Sequence, residues 1–354
     1  MSICWFATLI WTMRRPTWIL MFIHACIILI AFTVRYNALF YPVISIFSFC
    51  LNKEKIIMKV TGVGAFILLI GLFVGFTASQ YKRLTGQSQF SPFSGWQMAN
   101  NAMYAYRFID SAHRKTLPDK FKKLDQDVRN YFDSTRDVRK HPQEMLLANT
   151  FYMWRPESPL RIYMERRHKG DTTIPEIKKW AEVGPLYSDY GKALIESYPN
   201  AFISKYLLPN FLKYYAPPIE FLAAYNGGID TVAPIAQAWF GYQSNRVNTK
   251  LKDKRVDLIN YYPIASGTMN AVYIMMSISF LILGGRSKKE LFRTWILFTS
   301  YWISNLCFSV FASPIALRFQ LFPLLLCTAF NLLLLDYILR QARESNYAND
   351  KEIL

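Results

Sequence analysis

Residues 17–51 read TWILMFIHACIILIAFTVRYNALFYPVISIFSFCL, and the way this stretch divides decides the fold. As one helix it would be about 52 Å long, far more than the ~30 Å hydrocarbon core of a bilayer needs. As a hairpin turning at Arg35-Tyr36-Asn37 it gives two apolar arms, 17–34 and a shorter 37–51. Pro42 then falls near the start of the second arm, where a helix tolerates it. The hairpin is the better reading.

Outward from this hairpin the same pattern recurs. Residues 57–78, 265–284, 292–312 and 316–339 are apolar runs, each near the ~20 residues that cross a membrane as a helix. A hydrophobic content of 52% would also suit a globular protein, but here the apolar residues collect at the two ends and the charges in the middle. The expected fold is mainly α: a polytopic membrane protein with about six transmembrane helices and a large α-helical extracytoplasmic loop domain. The expected parts are an N-terminal membrane part (1–79), the helical domain (80–263), a C-terminal membrane part (264–340) and a cytoplasmic tail (341–354). Residues 3–13 are too short to span. They read as the tail of a helix, as though the chain were the back half of something longer. No small-residue cleavage site follows the first apolar run, so it does not read as a signal peptide.

Basic residues give the orientation. Arg14 and Arg15 precede the first arm, and Lys53, Lys55 and Lys59 follow the second. Arg286, Lys288, Lys289 and Arg293 separate two later runs, and Arg340, Arg343 and Lys351 follow the last. If 37–51 crosses, all four clusters share the cytoplasmic side. The long segment then lies on the extracytoplasmic side. All five cysteines (Cys4, Cys26, Cys50, Cys307 and Cys327) sit in apolar segments, so they read as small core residues rather than a disulfide framework.

The segment 80–263 carries 27 basic and 18 acidic side chains, a net +9. A basic surface away from the cytoplasm suits anionic head groups or anionic lipid-linked substrates, although a solvated face with a mild basic bias explains it equally well. Nucleic acid is a poor partner for a segment walled off by spans. Trp180, Val183, Tyr187, Tyr190 and Leu194 recur at helical spacing. A charged helix over 119–140 places Phe121, Leu124, Val128, Tyr131 and Phe132 on one side.

Little of this segment carries a chemical signature. Asp125-Gln-Asp127 has the form of a metal-holding Asp-x-Asp pair, but two carboxylates two residues apart on a helix do not face the same way, and a solvated helix is the better reading. His24, His113, His141 and His168 lack ligand spacing, so no metal site is expected. No Gly-rich phosphate loop follows a strand, and no cofactor is expected. In Ser94-Gly-Trp-Gln-Met-Ala-Asn-Asn-Ala-Met-Tyr104, Trp96 and Tyr104 suit the head-group interface. Asn100 and Asn101 would bond sugar hydroxyls or cap a helix.

Arg35 and Arg318 are the sharpest candidates. An ionisable group at membrane depth is costly and by default functional, and guanidinium suits bidentate phosphate contact. Snorkelling to the interface is the competing explanation. Each arginine precedes an aromatic and an amide, Arg35-Tyr36-Asn37 and Arg318-Phe319-Gln320, and both are expected at the outer face.

VRYNALFYP, FSPFSGWQMANNAMYAY, PNFLKYYAPPIEFLAAYN and FASPIALRFQLFP together resemble the C-terminal half of bacterial multispanning glycosyltransferases of the lipid-phosphate-sugar-dependent class. That class is similar to protein O-mannosyltransferases and aminoarabinose transferases, and the resemblance runs over about residues 17–340. It implies transfer of a sugar from a polyprenyl-phosphate carrier in the cell envelope. Arg318-Phe319 resembles a position that contacts the carrier phosphate. It also implies a catalytic carboxylate in the first outer loop, which here is only Arg35-Tyr36-Asn37 and holds none. The base is therefore unassigned, with Asp110, Asp189 and Glu220 undistinguished in the long segment. An N-terminal half encoded separately becomes an expected partner beside membrane lipid and the lipid-linked sugar. Two other readings remain. One is a surface-polysaccharide polymerase or ligase. The other is a non-catalytic component or transporter, for which Pro42 and Pro323 would be the span-breaking positions.

Overall fold

The computed structural model describes residues 1–34, 36–51, 55–219, 229–246 and 257–353. It is 79% helical, and among the described residues its only β pairing is a bridge between Thr231 and Arg246. The α-helices in chain order are α1 (Ser2–Arg14), α2 (Trp18–Val34), α3 (Tyr41–Leu51), α4 (Ile56–Thr85), α5 (Pro92–Tyr106), α6 (Lys122–Ser134), α7 (Phe151–Trp154) and α8 (Pro159–Arg167). They continue with α9 (Glu176–Ser197), α10 (Pro199–Phe202), α11 (Leu208–Tyr215), α12 (Pro234–Phe240), α13 (Tyr262–Ile282), α14 (Lys289–Ala312) and α15 (Leu317–Ile353). The chain forms two compact units, Met1–Phe211 with Arg293–Pro314, and Leu212–Phe292 with Ile315–Leu354. The expected boundaries near 80 and 263 fall inside these units.

Four helices are long and apolar enough to cross a bilayer, over Ile56–Thr85, Ile259–Ile282, Lys289–Ala312 and Leu317–Glu344. This is a membrane protein. The two arms of the opening hairpin are shorter, 17 residues in α2 and 11 in α3, joined through a 3-10 turn at Tyr36–Phe40. The chain does reverse there, since His24 Nε2 lies 3.1 Å from Ser45 Oγ. That bond belongs to a buried polar string. Trp5 Nε1 donates to Ser45 Oγ at 3.1 Å, and Thr8 Oγ1 lies 2.8 Å from His24 Nδ1. Among apolar helices an unpaired polar group is expensive, so a closed string fixes how α1, α2 and α3 pack. Trp5 also stacks on Tyr41 with ring centroids 3.8 Å apart. Residues 3–13 lie in α1, which packs in this bundle with Trp5, Phe6, Leu9 and Met13 buried.

The helix expected at 57–78 is longer than its apolar run. α4 continues to Thr85 and ends where Gly86 turns left-handed at φ +76, its N–H bonded to Lys82 O at 2.8 Å. Lys82 and Arg83 in the last turn suit the negative end of the helix dipole. The helical part of this unit is built on α5 and α9. Ser91 caps α5, with Pro92 at its first position. The two helices touch backbone to backbone. A Cβ on Gly95 would lie 1.9 Å from Gly184 O, and one on Gly191 would lie 2.6 Å from Met98 C. Pro185 interrupts α9 and cannot donate to the Ala181 carbonyl. Gln89 Nε2 supplies the missing donor at 2.7 Å. Val183, Tyr187, Tyr190 and Leu194 form the buried stripe of α9, facing Leu124, Val128 and Phe132 of α6 in one tyrosine-rich core.

In the second unit α13 pairs with α15. Asn331 Nδ2 donates to Met269 O at 3.1 Å, and Tyr337 Oη donates to Leu283 O at 2.8 Å. The Leu317 N–H at the start of α15 bonds to Pro218 O at 3.1 Å.

Three expectations are corrected. The charged helix ends at Ser134 rather than near 140, where Thr135 leaves helical geometry. Asp125 is buried rather than solvated, because it accepts from Tyr190 Oη at 2.9 Å and pairs with Arg129 Nε at 2.7 Å. Its neighbour Asp127 pairs with Arg166 instead. The cysteines are not all core residues: Cys327 is buried, but Cys4, Cys50 and Cys307 are exposed and all five are free thiols.

Candidate functional site

The first unit holds a half-open cleft of about 150 Å³ between the end of α2, Leu39 of the turn, the C-terminal half of α4, and the Phe90-Ser91 approach to α5. Phe32, Phe73 and Phe90 form its wall as a mutual ring cluster, with centroids 6.2, 5.7 and 6.1 Å apart. Thr33, Thr77, Tyr81 and Ser91 add hydroxyl groups. Phe73, Thr77 and Tyr81 reach the cleft because four-residue spacing keeps them on one face of α4. An aromatic slot edged by a few polar groups suits part of an apolar ligand with a polar end. Val34 lines it, and Arg35 is the next residue in the chain.

Arg35 lies outside the described residues, as does Glu220. Tyr36 and Asn37 open the 3-10 turn that follows α2. Arg318 is exposed in the first turn of α15, with its guanidinium carbon 4.8 Å from the centre of the half-buried Phe319 ring. Arg318 and Phe319 belong to the second unit, Tyr36 and Asn37 to the first.

Trp96 sits in the helical core rather than at an interface. It is fully buried, stacks on Trp180 at 5.0 Å, meets Tyr187 edge-on at 4.8 Å, and donates its Nε1–H to Trp180 O at 2.9 Å. Tyr104 is buried as well. Asn100 and Asn101 are buried in an amide network. Gln97 Nε2 and Asn100 Nδ2 both donate to Asn101 Oδ1, at 2.7 and 3.2 Å, and Asn100 Nδ2 also reaches Asn149 O at 2.8 Å. Asn101 Nδ2 then donates to Phe311 O and Ala312 O, both at 3.1 Å. These are terminal carbonyls of α14, which lack partners within the helix. Of the two expected roles, this is the capping one, applied to a distant helix end.

One polar cluster carried no sequence signal. Glu144 is buried, accepts from Tyr131 Oη at 2.7 Å and from Tyr152 Oη at 2.6 Å, and forms an ion pair with Arg107 Nη1 at 3.0 Å. Burial, and then the adjacent Glu144 charge, raises the Tyr152 hydroxyl well above the ordinary tyrosine value; burial and the Glu144 hydrogen bond do the same for Tyr131. Both phenols therefore stay protonated and keep donating. A carboxylate held this way cross-links the α5 end to the loop before α7, and its oxygens are occupied. Asp110 and Asp189 are more than half exposed and pair with Arg136 and Lys120. Among the described residues, no three His, Cys, Asp or Glu side chains are grouped to hold a metal ion.

No family model, curated protein or solved structure matches this chain.

Proposed function

We propose that this chain is the carrier-binding part of a membrane glycosyltransferase that takes a sugar from a polyprenyl-phosphate donor. The donor would be met at the periplasmic face of a bacterial inner membrane, the side on which charge bias puts the long polar segment. The aromatic cleft carries the reading. Its walls suit the flat unsaturated units of an isoprenoid, and Arg35, next in sequence to the lining residue Val34, suits the phosphate end. In the second unit, Arg318, backed by Phe319, is a separate candidate cation for a phosphate group.

The test is direct binding of a labelled polyprenyl phosphate to the reconstituted chain. Phe73→Ala, Arg35→Ala and Arg318→Ala should each weaken it about tenfold or more, as loss of a charge-assisted bond or a buried ring implies. Unchanged affinity in both Phe73→Ala and Arg35→Ala would remove the cleft from the mechanism. A preference for diphosphate over monophosphate carriers would move the reading to a polysaccharide polymerase or ligase.

A second reading has its own support. Asp125, Asp127 and Glu144 are engaged in pairs, and the first outer loop holds no acid. A chain that binds the lipid carrier but contributes no base would serve a separately encoded catalytic partner. Binding without transfer by the isolated chain, and transfer once that partner is added, would establish it.

A further inference from the structure

Residues 229–246 form a closed hairpin-like loop in the second unit. Thr231 and Arg246 form the bridge at its base, and Val232 N–H donates to Asn245 O at 2.7 Å. Its tip is α12, which Pro234 starts and Gly241 ends in the left-handed region at φ +66. This short helix has no buried residue. Ile235, Trp239, Phe240 and Tyr242 are 77%, 82%, 65% and 50% exposed. Phe240 stacks on Tyr242 at 5.6 Å, and Ile235 and Trp239 are one helical turn apart, so the apolar side chains gather rather than scatter. No charged residue lies between Asp230 and Arg246.

In water such a patch is costly, and in a folded protein it marks a contact surface. Three observations select the membrane interface as its partner. The side chains are those that concentrate at head-group depth, indole and phenol beside aliphatic and phenyl. The spanning helix Ile259–Ile282 begins 13 residues after Arg246, so the loop is tethered within reach of the surface its own chain enters. The joining sequence is basic, KLKDKR over 250–255, which matches anionic lipid. We infer that the 229–246 loop is an interfacial anchor, with the two turns of α12 lying in the head-group plane and Ile235, Trp239 and Phe240 facing the acyl chains.

The chain has nine tryptophans, so the signal of Trp239 is isolated as the difference between the wild type and Trp239→Phe. The intact protein is reconstituted in nanodiscs of phosphatidylcholine, with or without phosphatidylglycerol. Brominated phospholipid should quench the Trp239 component about twofold or more, and aqueous iodide should leave it nearly unchanged, as expected for an indole at head-group depth. Quenching by iodide and not by the brominated lipid overturns the inference. Insensitivity to both also overturns it, because the loop is then covered by protein, such as a second copy. Phenylalanine keeps the apolar contact and the side chain it replaces is exposed, so folding does not confound the comparison. Equal quenching with and without phosphatidylglycerol would overturn the charge part alone and leave the aromatic anchor standing.

Discussion

Asn101 and Asn210 hold the same helix end. Asn210 Nδ2 donates to Val310 O at 2.9 Å and Ser313 O at 2.8 Å, while Asn101 Nδ2 takes Phe311 O and Ala312 O at 3.1 Å each. Between them, two side-chain amides from α5 and α11 bond four consecutive carbonyls at the close of α14. The Ser313-Pro314 turn cannot satisfy these carbonyls by continuing the helix, since Pro314 has no N–H.

Asn210→Ala should therefore lower stability by about 1–3 kcal/mol, the cost of leaving buried carbonyls unpaired. Asn210→Asp should be worse, because a carboxylate donates nothing and opposes the negative end of the helix dipole. Thermal unfolding in detergent reads both. Aspartate equal to or milder than alanine would show that capping is not the role of this residue.

Glu144→Ala leaves Arg107, with its side chain 9% exposed, buried without a counter-charge. A loss of about 3–5 kcal/mol is expected. Replacing both, Arg107→Met with Glu144→Leu, should recover much of that loss. A double variant as unstable as the sum of the singles would argue that Tyr131 and Tyr152, rather than the ion pair, are the essential members.

Gly95→Ala forces a methyl into the backbone of Gly184, so α5 and α9 must separate. It should unfold the helical core or lower its melting temperature steeply. Gly71→Ala on α4 meets nothing within 4 Å and should be neutral or gain up to about 1 kcal/mol in helix propensity. Similar melting temperatures for the two variants would refute the close approach.

The core tyrosines predict alkaline lability. Burial raises Tyr187, Tyr190 and Tyr206 well above their ordinary value of 10.0, and Tyr152 likewise. A raised folded value means the fold favours the protonated phenol. Its contribution is complete below the unfolded value near 10.0 and is lost as pH climbs through the folded values. Tyrosinate absorbance from these rings should then appear together with loss of near-ultraviolet circular dichroism. Ionisation near pH 10 with the fold intact would contradict it.

Periodicity and charge made the helical class, the apolar runs and the reversal after Val34 legible, because a 3.6-residue stripe and a 20-residue apolar run are local properties of a chain. The buried faces of α6 and α9 were legible for the same reason. The lengths of α4 and α15 were not, since polar residues continue a helix after the apolar run ends. Nor were Phe311 and Ala312 as partners of Asn101, Arg107 as partner of Glu144, or Tyr190 as partner of Asp125, which are distant in sequence. A buried Asp125 looks the same on paper as a solvated one until Tyr190 is seen beside it. For the cleft, the spacing of Phe73, Thr77 and Tyr81 was visible in the sequence, but the closing rings Phe32 and Phe90 were not associated with it.

α4 has one further consequence. At about 45 Å it outruns the hydrocarbon by some 15 Å without a break, and the Gln89 bond to Ala181 sits just past its cap. A rod of that kind is a lever. Tilting it by about 10° would swing its C-terminal end by about 8 Å, carrying the wall of Phe73, Thr77 and Tyr81 with it. The cleft would then open or narrow with the inclination of a membrane helix, so bilayer thickness itself becomes a variable that sets its width.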